Sequence, residues 1–121
     1  MKVVNSILVI VAAWVMWGGA VQAQSLGFTS LSAVVDQKGI TTIGSGVQNS
    51  SRVGTGIYVI EFTRDPTACT MVATVRGRKL GFASVRHPVA GLSPNRIKVF
   101  TFSQTGVATN LGFNVLVSCA S

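Results

Sequence analysis

Four side chains downstream of residue 23 could act as general acids or bases near neutral pH, namely Asp36, Glu61, Asp65 and His87. Glu61 and Asp65 lie four positions apart, so one hypothesis is a small hydrolase that uses this pair of carboxylates. The alternative is an isolated surface glutamate followed by a turn aspartate, because Pro66 directly follows Asp65. His87 precedes a proline and has no nucleophile motif beside it. We therefore do not expect an enzyme.

Two cysteines, Cys69 and Cys119, are the other residues with reactive side chains. In an oxidising compartment such a pair forms a disulfide, which here would fasten the last strand to the middle of the chain. The alternative is a pair of free buried thiols. A metal site would need four ligands at a standard spacing, which two cysteines and the distant His87 do not supply. The sequence therefore predicts a Cys69–Cys119 disulfide, no metal and no cofactor.

The first 23 residues predict the compartment. Lys2 precedes an apolar run over residues 7–17, and small residues follow up to Ala23, which is the order of a secretory signal. The run is about half of the roughly 20 residues that span a bilayer, so a cleaved signal fits better than an uncleaved anchor. We expect cleavage before Gln24, a periplasmic or extracellular location, and one domain over residues 24–121 without a membrane span.

The chain is basic although it carries few charges. Ten Lys and Arg against three Asp and Glu give a net charge of +7, and only 11% of the residues are charged. A basic excess attracts anionic surfaces such as acidic polysaccharide or lipopolysaccharide, whereas dispersed cations can also be ordinary solubilising surface. Three cations form the densest group, and two more would join it if their strands are neighbours. These candidate anion-binding residues are Arg76, Arg78, Lys79, Arg96 and Lys98.

Apolar residues recur with a period of two from Leu26 onward, which is typical of half-buried β-strands. Turn residues separate the runs at a spacing of roughly ten residues, and no helical stripe interrupts them. The pattern predicts an all-β fold, a single antiparallel β-sandwich or jelly-roll-like domain of about seven strands. The predicted strands are Leu26–Val35, Ile40–Val47, Ile57–Thr63, Cys69–Arg76, Leu80–Arg86, Arg96–Ser103 and Phe113–Cys119.

Both faces of the predicted strand Arg96–Ser103 carry apolar bulk, with Phe100 and Phe102 on one of them. Because only one face can meet the core, we expect the other face, or the strand Leu26–Val35, to form a homo-oligomer contact. A nucleic-acid surface would place exposed aromatic side chains among the cations. Phe82 and Phe100 are the candidates, but phenylalanine at alternating strand positions is typical of a core. We therefore do not expect a nucleic-acid partner.

Turn glycines, alternating apolar residues and cysteines follow one another in a definite order. They read Ala33-Val34-Val35-Asp36-x-x-Gly39, Gly56-x-Tyr58-x-Ile60-x-Phe62, Cys69, Asn95-x-Ile97-x-Val99-x-Thr101 and Phe113-x-Val115-x-Val117-x-Cys119. This order resembles a largely uncharacterised β module of bacterial secreted proteins, found at the C-termini of extracellular or fibre-like proteins. The resemblance implies a β-sandwich and a disulfide but no reaction. The leading expectation is a secreted, non-enzymatic structural or binding module, and binding of anionic glycans is the alternative.

Overall fold

The computed structural model describes residues 28–120, so the predicted signal peptide 1–23 lies outside the described residues. The chain forms eight strands, β1 (Phe28–Val35), β2 (Thr41–Ser45), β3 (Val47–Gly54), β4 (Ile57–Phe62), β5 (Cys69–Val75), β6 (Gly81–Arg86), β7 (Arg96–Ser103) and β8 (Phe113–Ala120). Sheet A has the order β2-β1-β8-β5 and sheet B the order β3-β4-β7-β6, and all pairings are antiparallel. Over residues 28–120 no helix is long and apolar enough to cross a membrane.

The predicted all-β sandwich is confirmed, with one strand more than the sequence predicts. The additional strand is β3, which lies at an edge of sheet B and is mostly exposed. Gly46, at a φ of 73°, separates it from β2, so the predicted strand Ile40–Val47 ends at Ser45 and the chain passes from sheet A to sheet B. An edge strand with water on most sides needs no apolar alternation, which is why the pattern misses it.

The core lies between the two sheets, where every second residue of the central strands points inward. Along β4 buried and half-buried residues alternate without exception, as they do over the first six residues of β7. The ring of Tyr58 from sheet B meets the ring of Phe113 from sheet A edge to face, with 5.0 Å between the centroids. Such aromatic contacts fix how the sheets pack, beyond the area that they bury. The other members of this buried apolar cluster are Leu31, Ala33, Val35, Ile60, Phe62, Ile97, Val99, Val115, Val117 and Cys119.

The predicted disulfide between Cys69 and Cys119 is confirmed. The two residues face each other directly in the pairing of β5 with β8. Cys119 is fully buried, and Cys69 packs against the core from its edge strand. Strand β5 lies at the edge of sheet A and has hydrogen bonds on one side only. The bridge therefore ties this edge strand to the central strand β8.

Successive strands run in opposite directions, so the connections that follow β1, β3, β5 and β7 all lie at one end of the sandwich. The first of these is a tight turn in which Gly39 has a φ of 94°. The Asp36 carboxylate accepts hydrogen bonds from the backbone amides of Lys38 and Ile40, both at 2.9 Å. The four connections at this end are residues 36–40, 55–56, 76–80 and 104–112.

Candidate anion-binding site

Five cations share the end of the sandwich formed by the connections 36–40, 55–56, 76–80 and 104–112 together with the last residues of β3. We call it the basic end. All five side chains are exposed, and Asp36 is the only carboxylate there. The basic end therefore carries a net charge of +4, out of +6 for the nine cations and three carboxylates of residues 28–120. Its cations are Lys38, Arg52, Arg76, Arg78 and Lys79.

The single acidic residue of the basic end does not neutralise these cations. Asp36 holds the turn that follows β1 through its two backbone hydrogen bonds. Within residues 28–120 the one ion pair joins Arg96 and Glu61, at the opposite end of the sandwich. Because the carboxylate of Asp36 offsets only one of the five positive charges, the basic end can attract an anion.

Three of the cations line an open cleft of about 810 Å³ on this end. Lys38 comes from the turn after β1, Arg52 from β3 and Lys79 from the loop between β5 and β6. The Arg52 guanidinium donates to the carbonyl oxygen of Gln37 at 3.5 Å, which links two walls of the cleft. Asn110 accepts a hydrogen bond from the Gly56 amide at 2.7 Å and forms part of the far wall. The cleft thus offers cationic and neutral polar groups, with no carboxylate in its lining.

The structure separates the five candidate residues of the sequence analysis into two groups. Strands β6 and β7 are neighbours, but Gly81 pairs with Ser103 at the basic end, whereas Arg86 pairs with Lys98 near the other end. Lys98 lies five positions before Ser103, or about 17 Å along the strand. The cations of the loop 76–80 therefore do not form one patch with the two from β7. Lys38 and Arg52 lie at the basic end, whereas Arg96 and Lys98 do not. Neither Lys38 nor Arg52 was among the candidate residues predicted from the sequence.

The carboxylates of the hydrolase hypothesis are engaged in structural contacts. The Arg96 Nε donates to Glu61 Oε2 at 2.6 Å. Asp65 accepts hydrogen bonds from the hydroxyl and, at 2.9 Å, the amide of Thr67, and these bonds hold the pKa of its carboxyl below the ordinary value. A lowered pKa favours the ionised form, whereas a general acid needs a raised one. Neither carboxylate lines the cleft of the basic end.

His87 and the cysteines form no metal centre in the part of the chain that the structure describes. The His87 Nε2 lies 2.7 Å from the carbonyl oxygen of Pro94, so the ring is engaged with its own loop. Over residues 28–120 no three His, Cys, Asp or Glu side chains are placed to hold a metal ion together.

The phenylalanines of β6 and β7 lie on the outer face of sheet B, so the expectation that Phe82 and Phe100 belong to the core is wrong. Phe82 is 49% exposed, and its ring packs against that of Phe102, with 5.4 Å between the centroids and 30° between the ring planes. Phe100 points to the same side and is half-buried. The inward side of these strands is already filled by residues such as Val99 and Ala83, which leaves the phenylalanines facing outward. Self-association through this face stays a prediction.

Comparison of the chain with protein-family models, with curated proteins and with solved structures finds no match. The resemblance to a bacterial secreted module therefore stays a prediction.

Proposed function

We propose that this protein is a secreted, non-enzymatic binding module that binds anionic glycans, including the acidic saccharides of lipopolysaccharide, at its basic end. The supporting observation is the concentration of five cations at one end of the sandwich, with Asp36 as the only carboxylate there.

The distribution of the cations favours an extended polyanion over a small anion. Lys38, Arg52 and Lys79 line the large cleft on one side of the turn 36–40. Arg76 lines a separate cleft of about 310 Å³ that also includes Asp36. A small anion would occupy one of these clefts, whereas a chain of regularly spaced carboxylates or sulfates can contact both. Exposed charge pairs are individually weak, so affinity from such a surface requires several contacts at once.

Removing charge from the basic end tests this function. The triple variant Arg76→Gln, Arg78→Gln, Lys79→Gln is expected to elute from immobilised heparin at lower salt than the wild type. Three exposed ion pairs together contribute about 1.4 kcal/mol, so the affinity falls about tenfold. The measurement uses the exported protein, purified from the periplasm of an expression host, with its first residue checked by mass spectrometry.

The matched control removes the same charge from the opposite half of the molecule. The variant Arg64→Gln, Arg86→Gln, Lys98→Gln also loses two arginines and one lysine. We expect its elution to stay close to that of the wild type. Equal shifts in both triple variants would mean that heparin responds to net charge, and the basic end would then not be the site.

A further inference from the structure

The basic end exposes large aliphatic side chains as well as cations. Leu80, in the loop between β5 and β6, is 72% exposed, and Val107, between β7 and β8, is 62% exposed. Ile40 ends the turn after β1, and Val53 lies at the end of β3, and both are exposed. Each of the four connections at this end thus has one exposed aliphatic residue in it or next to it.

Three of these four aliphatic side chains lie one or two positions after a cation in the sequence. Lys79 directly precedes Leu80, and Arg52 directly precedes Val53. Lys38 lies two positions before Ile40 in the turn that Asp36 holds. The outer face of sheet A, in contrast, exposes Val72 and Leu116 among threonine, serine and asparagine residues, without a charged residue on β5 or β8. Apolar exposure on the outer face of sheet A thus comes without positive charge, whereas the basic end combines exposed aliphatic side chains with cations.

Backbone hydrogen bonds hold the turns that carry two of these side chains, Ile40 and Val107. The Ile40 amide donates to the Asp36 carboxylate at 2.9 Å, and the carbonyl oxygen of Val107 accepts from the Ser103 amide at 2.8 Å. A ligand that covers the aliphatic side chains therefore does not first have to order these two turns, which would otherwise reduce affinity.

We infer that the basic end docks onto an anionic lipid surface, with its aliphatic side chains below the level of the headgroups and its cations among the phosphates. A soluble glycan would satisfy the cations but would leave the four aliphatic side chains in water. An anionic lipid surface satisfies both, because it combines a negative surface potential with an apolar layer beneath it. This inference rests on the proposed function, since the same cations serve both.

Vesicle binding tests the inference on the exported protein. We expect it to co-sediment with vesicles of equal parts phosphatidylcholine and phosphatidylglycerol, and not with vesicles of phosphatidylcholine alone. The double variant Leu80→Thr, Val107→Thr is expected to weaken this binding about tenfold, because two partly inserted apolar side chains are lost. Its retention on heparin is expected to stay unchanged.

The chain offers a control of identical composition. The variant Leu116→Thr, Val72→Thr also replaces one leucine and one valine, 53% and 60% exposed, on the outer face of sheet A. It is expected to bind the mixed vesicles like the wild type, and equal urea midpoints show that both variants are folded.

The outcomes separate the two proposals. Wild-type protein that is retained on heparin but does not bind the mixed vesicles would overturn the lipid inference and leave the proposed function standing. The same holds if the Leu80 and Val107 variant binds these vesicles as tightly as the control variant. A wild type that binds neither heparin nor vesicles would overturn both.

Discussion

Replacing Cys69 and Cys119 together by alanine is expected to lower the free energy of unfolding by about 4 kcal/mol. The two residues are 50 positions apart. In the chain-entropy treatment, a cross-link that closes a loop of this length removes enough freedom from the unfolded chain to stabilise the fold by about that amount. A domain of this size is stable by only about 5 to 15 kcal/mol, so the bridge supplies a large share.

The assay is urea unfolding of the wild type and the double alanine variant. The slope of the free energy against urea is expected to rise in the variant, because an unfolded chain without the cross-link exposes more surface. Wild-type protein reduced with dithiothreitol is the control. It loses the bond but keeps both sulfur atoms, so it separates the effect of the cross-link from the loss of packing around the buried Cys119.

A difference below about 1 kcal/mol between oxidised and reduced wild type would refute this reasoning, because chain entropy predicts about four times as much. Edge strand β5, which pairs only with β8, is the element where the loss should appear first. Hydrogen exchange of the β5 amides in the reduced protein can locate it.

Two further predictions concern the basic end and the core beneath it. Burial raises the pKa of Tyr58 above its ordinary value of 10.0, so this tyrosine ionises in the unfolded chain at lower pH than in the folded protein. The free energy of unfolding is therefore expected to decline as the pH rises above 10.0. Since Tyr58 is the only tyrosine, tyrosinate absorbance measures its pKa directly, and an ordinary value would contradict the prediction. Gly39→Ala is expected to lower the free energy of unfolding by about 1 kcal/mol or more beyond Gly77→Ala in urea unfolding. Both glycines have a φ near 93°, so the conformational cost of a side chain at positive φ is the same for both variants. Only at Gly39 would the new Cβ also collide with the backbone of Ser51 and Arg52. Equal losses in the two glycine variants would show that the turn can move away from β3.

Most of the fold could be predicted from the sequence because the central strands follow a simple alternation. Tyr58, Ile60 and Phe62 share one face of β4, and all three are buried. The edge strand β3 escaped prediction because its residues face water on most sides and therefore carry no periodic signal. Strand β7 is apolar on both faces, so periodicity could not show which face the core takes.

Because β3 was not predicted, the position of the candidate site could not be predicted either. Without β3, the connection at 36–40 and the loop at 76–80 follow the first and the fourth predicted strands, which places them at opposite ends of an antiparallel fold. With β3 included, they follow β1 and β5 and lie at the same end. Counting strand reversals would thus have brought Lys38 and Arg52 close to Lys79, had β3 been recognised from its residues.

The fold depends very little on its own charges, because within residues 28–120 a single ion pair is formed and the rest of the scaffold is held by apolar packing, backbone hydrogen bonds and one disulfide. Ionic strength should therefore change the proposed binding of anions while leaving the melting temperature nearly constant. Most exposed cations could likewise be replaced one at a time without loss of the fold, whereas Asp36 and Asp65 accept hydrogen bonds that hold their turns. The proposed binding surface can therefore change in such a protein while its architecture stays the same.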